Sequence, residues 1–164
     1  MMFLNKSDFS NVIKNTPLVA IDLCVLKGRE ILLGKRINPP AKNFYFVPGG
    51  RILKSELIRN ALKRILNNEL GLIPLNDKEI TIKSLGLYEH FYEDNFLDNN
   101  NFSTHYVVAA YAISYESLIK KSENILSDQH SHYVWLNIDM AENCSLDIHK
   151  NTIEYINYLK LHGL

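Results

Sequence analysis

Apolar residues recur along the chain with two different spacings, and each spacing predicts a type of secondary structure. Three segments place apolar side chains three and four positions apart, which is typical of an amphipathic helix. Six shorter segments are rich in β-branched and aromatic residues and are bounded by turn-forming residues, which is typical of strands. The predicted helices are 7–15, 55–70 and 151–161, and the predicted strands are 18–26, 30–36, 44–47, 80–92, 103–114 and 133–138.

The order of these elements predicts the fold class. Strands that alternate with helices favour an α/β fold, in which a mixed sheet carries flanking helices on its faces. Ser7 and Ser55 are expected to cap the first two helices, and Gly71 is expected to end the second. We expect the glycine pair 49–50 to break the third strand, and residues 93–102, which are rich in asparagine and aspartate, to form a loop.

Composition and charge then exclude several classes of protein. A chain of 164 residues fits one domain. Its 18 basic and 18 acidic residues give a net charge of zero, which argues against a bulk nucleic-acid binder. No apolar stretch approaches the roughly 20 residues of a membrane helix, and the first residues do not resemble a secretory signal. We therefore expect a cytoplasmic protein whose partners include neither a membrane nor a nucleic acid.

Two cysteines are too few for a disulfide framework or a four-cysteine zinc site.

The second predicted helix carries a carboxylate on its apolar side. On a helical wheel Glu69 lies about 40° from the apolar Ile65, whereas Glu56 lies about 140° from Glu69. A glutamate at such a position bends to solvent, pairs with an arginine or binds a cation. The glycine pair 49–50 favours the cation, because a backbone without side chains exposes its carbonyl and amide groups to a ligand.

The spacing around this helix resembles the Nudix box of nucleoside-diphosphate hydrolases, G-x5-E-x7-R-E-U-x-E-E-x-G-U. Residues 50–72 keep that spacing throughout. The matching residues are Gly50, Glu56, Arg64, Glu69, Gly71 and Leu72. Two positions depart from the pattern, since Ile65 and Asn68 stand where the family has glutamates. One carboxylate of the usual three cannot hold a cluster of divalent cations, so we expect a single cation and a catalytic base supplied from elsewhere.

The same departure is similar to that of the GDP-mannose mannosyl hydrolases, a variant of the Nudix family. The resemblance covers nearly the whole chain, so that residues 1–164 form one Nudix hydrolase domain. The segments that carry it outside the box are 16–19, 32–36, 46–51, 90–96, 104–108 and 128–130. It implies a Nudix-type α/β/α sandwich and a homodimer. It also implies that GDP-mannose, and GDP-glucose with it, is hydrolysed to GDP and free hexose by water that attacks the anomeric carbon with inversion.

The resemblance further implies how a metal ion is held. Mg2+, for which Mn2+ can substitute, would be bound as one ion by the backbone carbonyl of Gly49, the carboxylate of Glu69 and the side-chain oxygen of Gln129. These are the hard oxygen donors that this ion prefers. Oxygens of the diphosphate and water would complete an octahedron.

The remaining site residues are also implied by matching positions. They are His130 as the general base, Arg36 and Arg51 as groups that hold the diphosphate, Asp22 and His90 beside the sugar and leaving group, Tyr106 as a phosphate or base contact, and Arg64 as a supporting substrate contact near the metal carboxylate. A guanidinium can contact two phosphate oxygens at once. An imidazole, whose ordinary pKa is about 6.5, can take a proton from water at neutral pH.

Other interpretations of these residues stay open from the sequence. Asp128, His130 and His132 could be zinc ligands, because alternate residues on a strand share a face. The aromatic residues near the 93–102 loop could stack on guanine or belong to the core. They are Tyr88, Phe91, Tyr92, Phe96 and Phe102. The rival functions are an ordinary Nudix pyrophosphatase that yields GMP and a sugar 1-phosphate, and a nucleotide-sugar-binding Nudix domain without catalytic activity.

Overall fold

Helices and strands follow one another much as the spacing of apolar residues predicts. The computed structural model describes residues 4–75, 82–97, 101–120 and 129–163. Its elements are α1 (Lys6–Asn15), β1 (Leu18–Lys27), β2 (Glu30–Arg36), β3 (Tyr45–Phe46), β4 (Gly49–Arg51), α2 (Ile58–Leu70), β5 (Leu72–Pro74), β6 (Ile82–Tyr92), β7 (Thr104–Ser114), β8 (Leu118–Lys120), β9 (His130–Asn137) and α3 (Lys150–Leu161). Short 3₁₀ turns lie at Tyr115–Ser117 and Ile138–Asn143. Among these residues, no helix combines the length and the apolar character needed to cross a membrane.

The central strand of the main sheet is β1. It pairs in parallel with β7 and antiparallel with β2 and β4. The strand order is β3-β2-β1-β7-β6, with β4 beside β1 and β9 beside β2, and β5 and β8 form a separate small sheet. The main sheet is therefore mixed, as predicted.

Helices cover both faces of this sheet, and β1 shows which side chains meet which helix. Ile21 and Leu23 pack with the buried residues of α2, whereas Cys24 packs in the cluster that contains Tyr155 of α3. Because side chains alternate between the two faces of a strand, Asp22 lies on the α3 face. The predicted α/β fold, with a mixed sheet and flanking helices, is confirmed.

The starts of two helices differ from the prediction. The cap of α1 is Asn5, whose side chain accepts a backbone hydrogen bond at 2.9 Å, and not Ser7. Helix α2 begins at Ile58 and not after Ser55, because Ser55 has a left-handed φ of 64° where a capping residue is extended. Gly71 ends α2 in the left-handed conformation, as predicted.

The glycine pair 49–50 does not break a strand, although the sequence predicted that it would. It forms β4, which pairs with β1 through Gly49 opposite Asp22. The break lies one residue earlier, at Pro48, which has no amide hydrogen to donate to a neighbouring strand. The predicted strand 44–47 is consequently reduced to the two residues of β3.

The last strand is longer than predicted, and its extra residues belong to the site. β9 begins at His130, where the sequence indicated a start at Tyr133. The pairing with β2 continues past an irregularity and ends with Arg36 opposite His130. His130 therefore lies in the sheet and not in a polar loop. The predicted start of the fourth strand, at residue 80, lies outside the described residues.

Candidate active site

A cavity of about 320 Å³ lies where β1, β4, β6 and β7 meet the segment that follows β2. Most of the residues that the sequence analysis assigned to a site lie in its wall. These are Asp22, Arg36, Gly49, Arg51, His90, Tyr106 and Gln129. Glu69, His130 and Arg64 do not belong to the wall. The cavity thus brings together side chains from most of the length of the chain.

Strand pairing is what assembles this wall. Asp22 of β1 lies opposite Gly49 of β4, and His90 of β6 lies opposite Tyr106 of β7. A Cβ atom added at position 49 would overlap the carboxylate of Asp22. Glycine at this position therefore allows the backbone to pass directly over a carboxylate.

A chain of polar contacts links the cavity wall to helix α2. The guanidinium of Arg36 donates from Nε to the Pro40 carbonyl at 2.8 Å and from Nη1 to Oε1 of Gln129 at 3.4 Å. The amide nitrogen of Gln129 in turn donates to Oε1 of Glu69 at 3.0 Å. Glu69 is 7% exposed, on the apolar face of α2 where the helical wheel placed it. Gln129 is thus the link between this carboxylate and the cavity.

His130, the residue after Gln129, is buried against Glu69. Its Nδ1 atom lies 3.1 Å from the hydroxyl of Tyr133 and 3.3 Å from Oε2 of Glu69. The Tyr133 hydroxyl donates its hydrogen to the backbone carbonyl of Glu69 at 2.8 Å, so it can only accept from the imidazole. These contacts favour the tautomer with the hydrogen on Nδ1, which leaves the lone pair on Nε2. Gly34 provides room for the ring, because a Cβ atom there would lie 2.5 Å from His130 Cδ2.

The opposite part of the wall holds a second buried polar group. Asp22 is 7% exposed, and its Oδ2 atom accepts a hydrogen bond of 2.8 Å from the hydroxyl of Tyr155. The same hydroxyl lies 3.0 Å from Nε2 of His90. Tyr155 lies on α3 and is fully buried. Asp22 and His90 were predicted as site residues, whereas residue 155 was predicted only as part of a helix.

Burial shifts the pKa values of both wall residues toward the uncharged form. It raises the pKa of Asp22 to about 7, although the Tyr155 hydrogen bond and the charge of Arg36 act in the opposite direction. It lowers the pKa of His90 to about 4, and the charges of His149 and Lys150 lower it further. At neutral pH His90 is therefore an uncharged imidazole that can donate and accept hydrogen bonds.

Arg51 is held against an aromatic wall that the sequence did not predict. Its guanidinium carbon lies 3.8 Å from the ring centre of Phe9, and this ring lies 4.7 Å from that of Phe96. Both rings line the cavity. Burial lowers the pKa of Arg51. Phe9 showed only a helical apolar spacing in the sequence, and nothing in that spacing says which surface the helix covers.

The aromatic residues near the 93–102 loop do not form one cluster. Tyr92 and Phe96 line the cavity. Tyr88 packs edge-on against Tyr155, while Phe91 is 60% exposed and stacks on His105. The two proposed roles, ligand contact and core, are thus divided among different members of the set.

Arg64 supports the site from behind instead of facing the cavity. It donates to both carboxylate oxygens of Glu56 at 2.7 and 2.8 Å, and to the backbone carbonyl of Arg51 at 2.8 Å. This geometry gives no support to the expected substrate contact. Glu56 precedes α2, so the helical wheel did not describe its direction. Its hydrogen bonds with Arg64 lower the pKa of Glu56, and the bond from Arg64 to the Arg51 carbonyl joins α2 to β4.

The described residues do not support a zinc site at the start of β9. They contain no group of three side chains of the metal-binding types placed to hold an ion. His132 contacts the hydroxyl of Tyr45 through Nε2 at 2.8 Å, whereas His130 faces Glu69. Asp128, the remaining member of that hypothesis, lies outside the described residues.

Comparison with known proteins identifies the family. The NUDIX domain family matches residues 16–156. The chain belongs to the Nudix family. Its α1 helix, which supplies Phe9 to the cavity, precedes the matched region. Nudix hydrolases use divalent metal ions.

The chain is similar to several known proteins. It is 35% identical to the low-salt glycan biosynthesis protein Agl8 of Haloferax volcanii over 126 residues, which cover 76% of this chain and 73% of that protein. Among solved structures it resembles the MutT NUDIX hydrolase of Burkholderia pseudomallei, with a TM-score of 0.68, 19% identity, and coverage of 88% and 99% of the two chains. It also resembles a bifunctional NMN adenylyltransferase/ADP ribose pyrophosphatase of Francisella tularensis, complexed with AMP and a manganese ion, with a TM-score of 0.63, 18% identity, and coverage of 96% and 45%.

The residues present fit a divalent cation. Glu69 offers a carboxylate, and the Gly49 carbonyl and the Gln129 side chain offer neutral oxygens in the adjoining wall. A half-turn of the Gln129 amide exchanges its nitrogen and oxygen and brings the oxygen to the side of Glu69. Carboxylate, carbonyl and amide oxygens suit Mg2+ or Mn2+ when a ligand and water supply the other positions.

Proposed function

We propose that this Nudix hydrolase converts GDP-mannose, or GDP-glucose, into GDP and free hexose by attack of water at the anomeric carbon with inversion. The observation that carries the proposal is the single carboxylate on the apolar face of α2. Glu69 is buried beside Gln129 and His130, whereas Ile65 is 2% exposed in the apolar core and Asn68 faces solvent. The helix thus lacks the neighbouring carboxylates that would hold a cluster of cations for attack on phosphorus.

The charges of the cavity suit a departing nucleoside diphosphate. Arg36 and Arg51 lie in the wall, and two guanidinium groups can contact several phosphate oxygens and neutralise the charge that GDP gains when the glycosidic bond breaks. Held by Glu69, Gln129 and the carbonyl of Gly49, Mg2+ or Mn2+ would supply further positive charge to the same diphosphate. The sugar would then lie beside two buried polar residues of the wall, the uncharged His90 and Asp22.

His130 is the proposed general base. Its contacts with Tyr133 and Glu69 orient the ring and favour a lone pair on Nε2, which is the atom that would take the proton from water. It stands next to Gln129 in sequence and contacts Glu69, so it adjoins two of the groups that would hold the cation, while its Nε2 atom is buried outside the cavity wall. The free hexose, GDP and one proton are then the products.

The relative from Haloferax volcanii supports a substrate that contains a sugar, because that protein is named for glycan biosynthesis. The rival is the ordinary pyrophosphatase reaction, which the similarity to the Francisella tularensis enzyme favours. A third possibility is a domain that binds nucleotide sugars without hydrolysing them.

Product analysis separates these three functions. Purified protein would be incubated with Mg2+ and GDP-mannose, GDP-glucose or ADP-ribose, and the products separated by chromatography. We expect GDP and free hexose from the GDP-sugars. GMP with a sugar 1-phosphate, or AMP from ADP-ribose alone, would establish the pyrophosphatase. Binding without any product would establish a non-catalytic domain.

A further inference from the structure

One fully buried hydroxyl on α3 connects two residues of the cavity wall. The hydroxyl oxygen of Tyr155 lies 2.8 Å from Oδ2 of Asp22 and 3.0 Å from Nε2 of His90. Tyr155 does not line the cavity itself. Asp22 comes from β1 and His90 from β6, so one atom of α3 joins two strands of the sheet that do not pair with each other.

The number of hydrogens available to the three groups determines which of them donates in each bond. A tyrosine hydroxyl carries one hydrogen, and above the pKa of Asp22, which burial raises to about 7, this aspartate is ionised and can only accept. The hydroxyl therefore donates to Asp22, and its oxygen accepts the hydrogen on Nε2 of His90. The direct distance from His90 Nδ1 to Asp22 Oδ2 is 4.0 Å, which is too long for a hydrogen bond that would favour the other tautomer.

We propose that Tyr155 is a positioning residue of the active site, which fixes His90 as the tautomer with its hydrogen on Nε2 and so leaves Nδ1 as a hydrogen-bond acceptor for a hydroxyl group of the substrate. The identity of that hydroxyl as part of a sugar rests on the proposed function. The tautomer itself does not, because it follows from contacts within the protein.

The surroundings of Tyr155 make it a rigid support. Its ring packs edge-on against Tyr88 with 4.7 Å between ring centres, inside the core cluster that holds α3 against the sheet. Phenylalanine has nearly the same shape, so Tyr155→Phe keeps this packing and removes only the hydroxyl. The same change in Tyr158, one turn further along α3, is the matched control, because Tyr158 also packs on this cluster but makes no recorded contact with Asp22 or His90 within the described residues.

The direct test is NMR of the protein labelled with ¹⁵N-histidine, recorded without substrate at about pH 8.5, which lies above the raised pKa of Asp22, so that this carboxylate is ionised. Comparison with His90→Gln assigns the signals of His90. We expect the Nε2-protonated tautomer in the unchanged protein and in Tyr158→Phe, and a loss of that preference in Tyr155→Phe. An Nδ1-protonated His90 in the unchanged protein, or the same tautomer in Tyr155→Phe, would overturn the proposal.

Kinetics provide a second readout that a purely structural role would not change. Tyr155→Phe should lower kcat for the GDP-sugar roughly tenfold to a hundredfold, while the affinity for GDP, which has no hexose, stays the same. The double variant Tyr155→Phe/His90→Gln should have a kcat only slightly below that of His90→Gln alone, because both changes remove the same contact. Full additivity, or an equal loss in Tyr158→Phe, would contradict the proposal. If the unchanged protein does not hydrolyse GDP-sugars, the proposed function fails while the NMR experiment still decides the role of Tyr155.

Discussion

The two faces of the sheet each supply the site with one carboxylate, and the two carboxylates are equally buried but differently surrounded. Glu69 and Asp22 are both 7% exposed. Glu69, on the α2 face, contacts the imidazole of His130 and the amide of Gln129, whose oxygen can turn toward a cation. Asp22, on the α3 face, contacts the hydroxyl of Tyr155, and burial raises its pKa to about 7. Under the proposed function, a cation would lie on the α2 side and the sugar would accept or donate hydrogen bonds on the α3 side.

The largest effect is expected from the imidazole on the α2 side. His130→Gln keeps a polar side chain of similar size but cannot accept a proton, so kcat should fall by about 10²–10⁴ while GDP affinity changes little. Steady-state kinetics together with GDP titration measures both. An unchanged kcat would mean that His130 is not the base, and the α3 side would have to supply it.

Removing the negative charge of each carboxylate in turn should show that the two carboxylates have different roles. Glu69→Gln should weaken Mg2+ binding and lower kcat by roughly a hundredfold to a thousandfold, because a cation is worth several kcal/mol of charge stabilisation. Asp22→Asn should leave Mg2+ affinity unchanged. Metal titration of both variants decides this, with Glu56→Gln as a third variant, since Glu56 contacts Arg64 outside the cavity. Equal losses of metal affinity in Glu69→Gln and Asp22→Asn would contradict the proposal that only Glu69 binds the cation.

A smaller effect is expected from a substitution that displaces the His130 ring but keeps the imidazole group. Gly34→Ala puts a Cβ atom 2.5 Å from His130 Cδ2 and 2.8 Å from Tyr133 Cε1, so it should cost about 1–3 kcal/mol of stability and displace the imidazole. Gly28→Ala is the matched control, because Gly28 has a φ of 57° but open space around it. Its cost is backbone strain of about 1–2 kcal/mol. We expect both variants to unfold more easily and only Gly34→Ala to lose turnover.

The smallest predicted effect is a pH dependence of stability near α3. Burial lowers the pKa of His149 to about 4, and the charges of Lys150 and Arg36 add to this. The unfolded chain therefore binds a proton below about pH 6.5 that the folded chain does not, so stability falls as the pH drops from about 6.5 to 4. His149→Asn keeps a good capping residue for α3 and should reduce that fall. Urea titrations at pH values across this range measure it, and an equal fall in both proteins would contradict the assignment.

The sequence predicted the ends of helices and strands most accurately in segments whose structure depends on their own residues. The β-branched and apolar residues and the turn residues that bound them placed β1 and β2 within a residue of their observed ends, and the glycine at position 71 ended α2 as expected. The start of α2 was missed because Ser55 has the chemistry of a cap but a left-handed backbone. The preference of Ser55 for a capping position is overridden there, next to the pair that Glu56 forms with Arg64, eight residues further along the chain.

Contacts between distant segments explain what the sequence did not reveal about the site. Phe9 and Tyr155 reach it from α1 and α3, and each looked like an ordinary apolar position of a helix. Arg64 matched the box, but only the structure places its guanidinium on Glu56 and the Arg51 carbonyl. The candidate residues came from the resemblance, whereas their partners follow from how the helices pack on the sheet.

The measurement that tests the central claim most directly is the fate of oxygen from the attacking water. GDP-mannose would be hydrolysed in heavy-oxygen water with Mg2+, and the products analysed by mass spectrometry. Attack at the anomeric carbon places the heavy oxygen in the hexose and leaves GDP unlabelled, which is the predicted result. Heavy oxygen in GMP or GDP would show attack on phosphorus and would contradict the account.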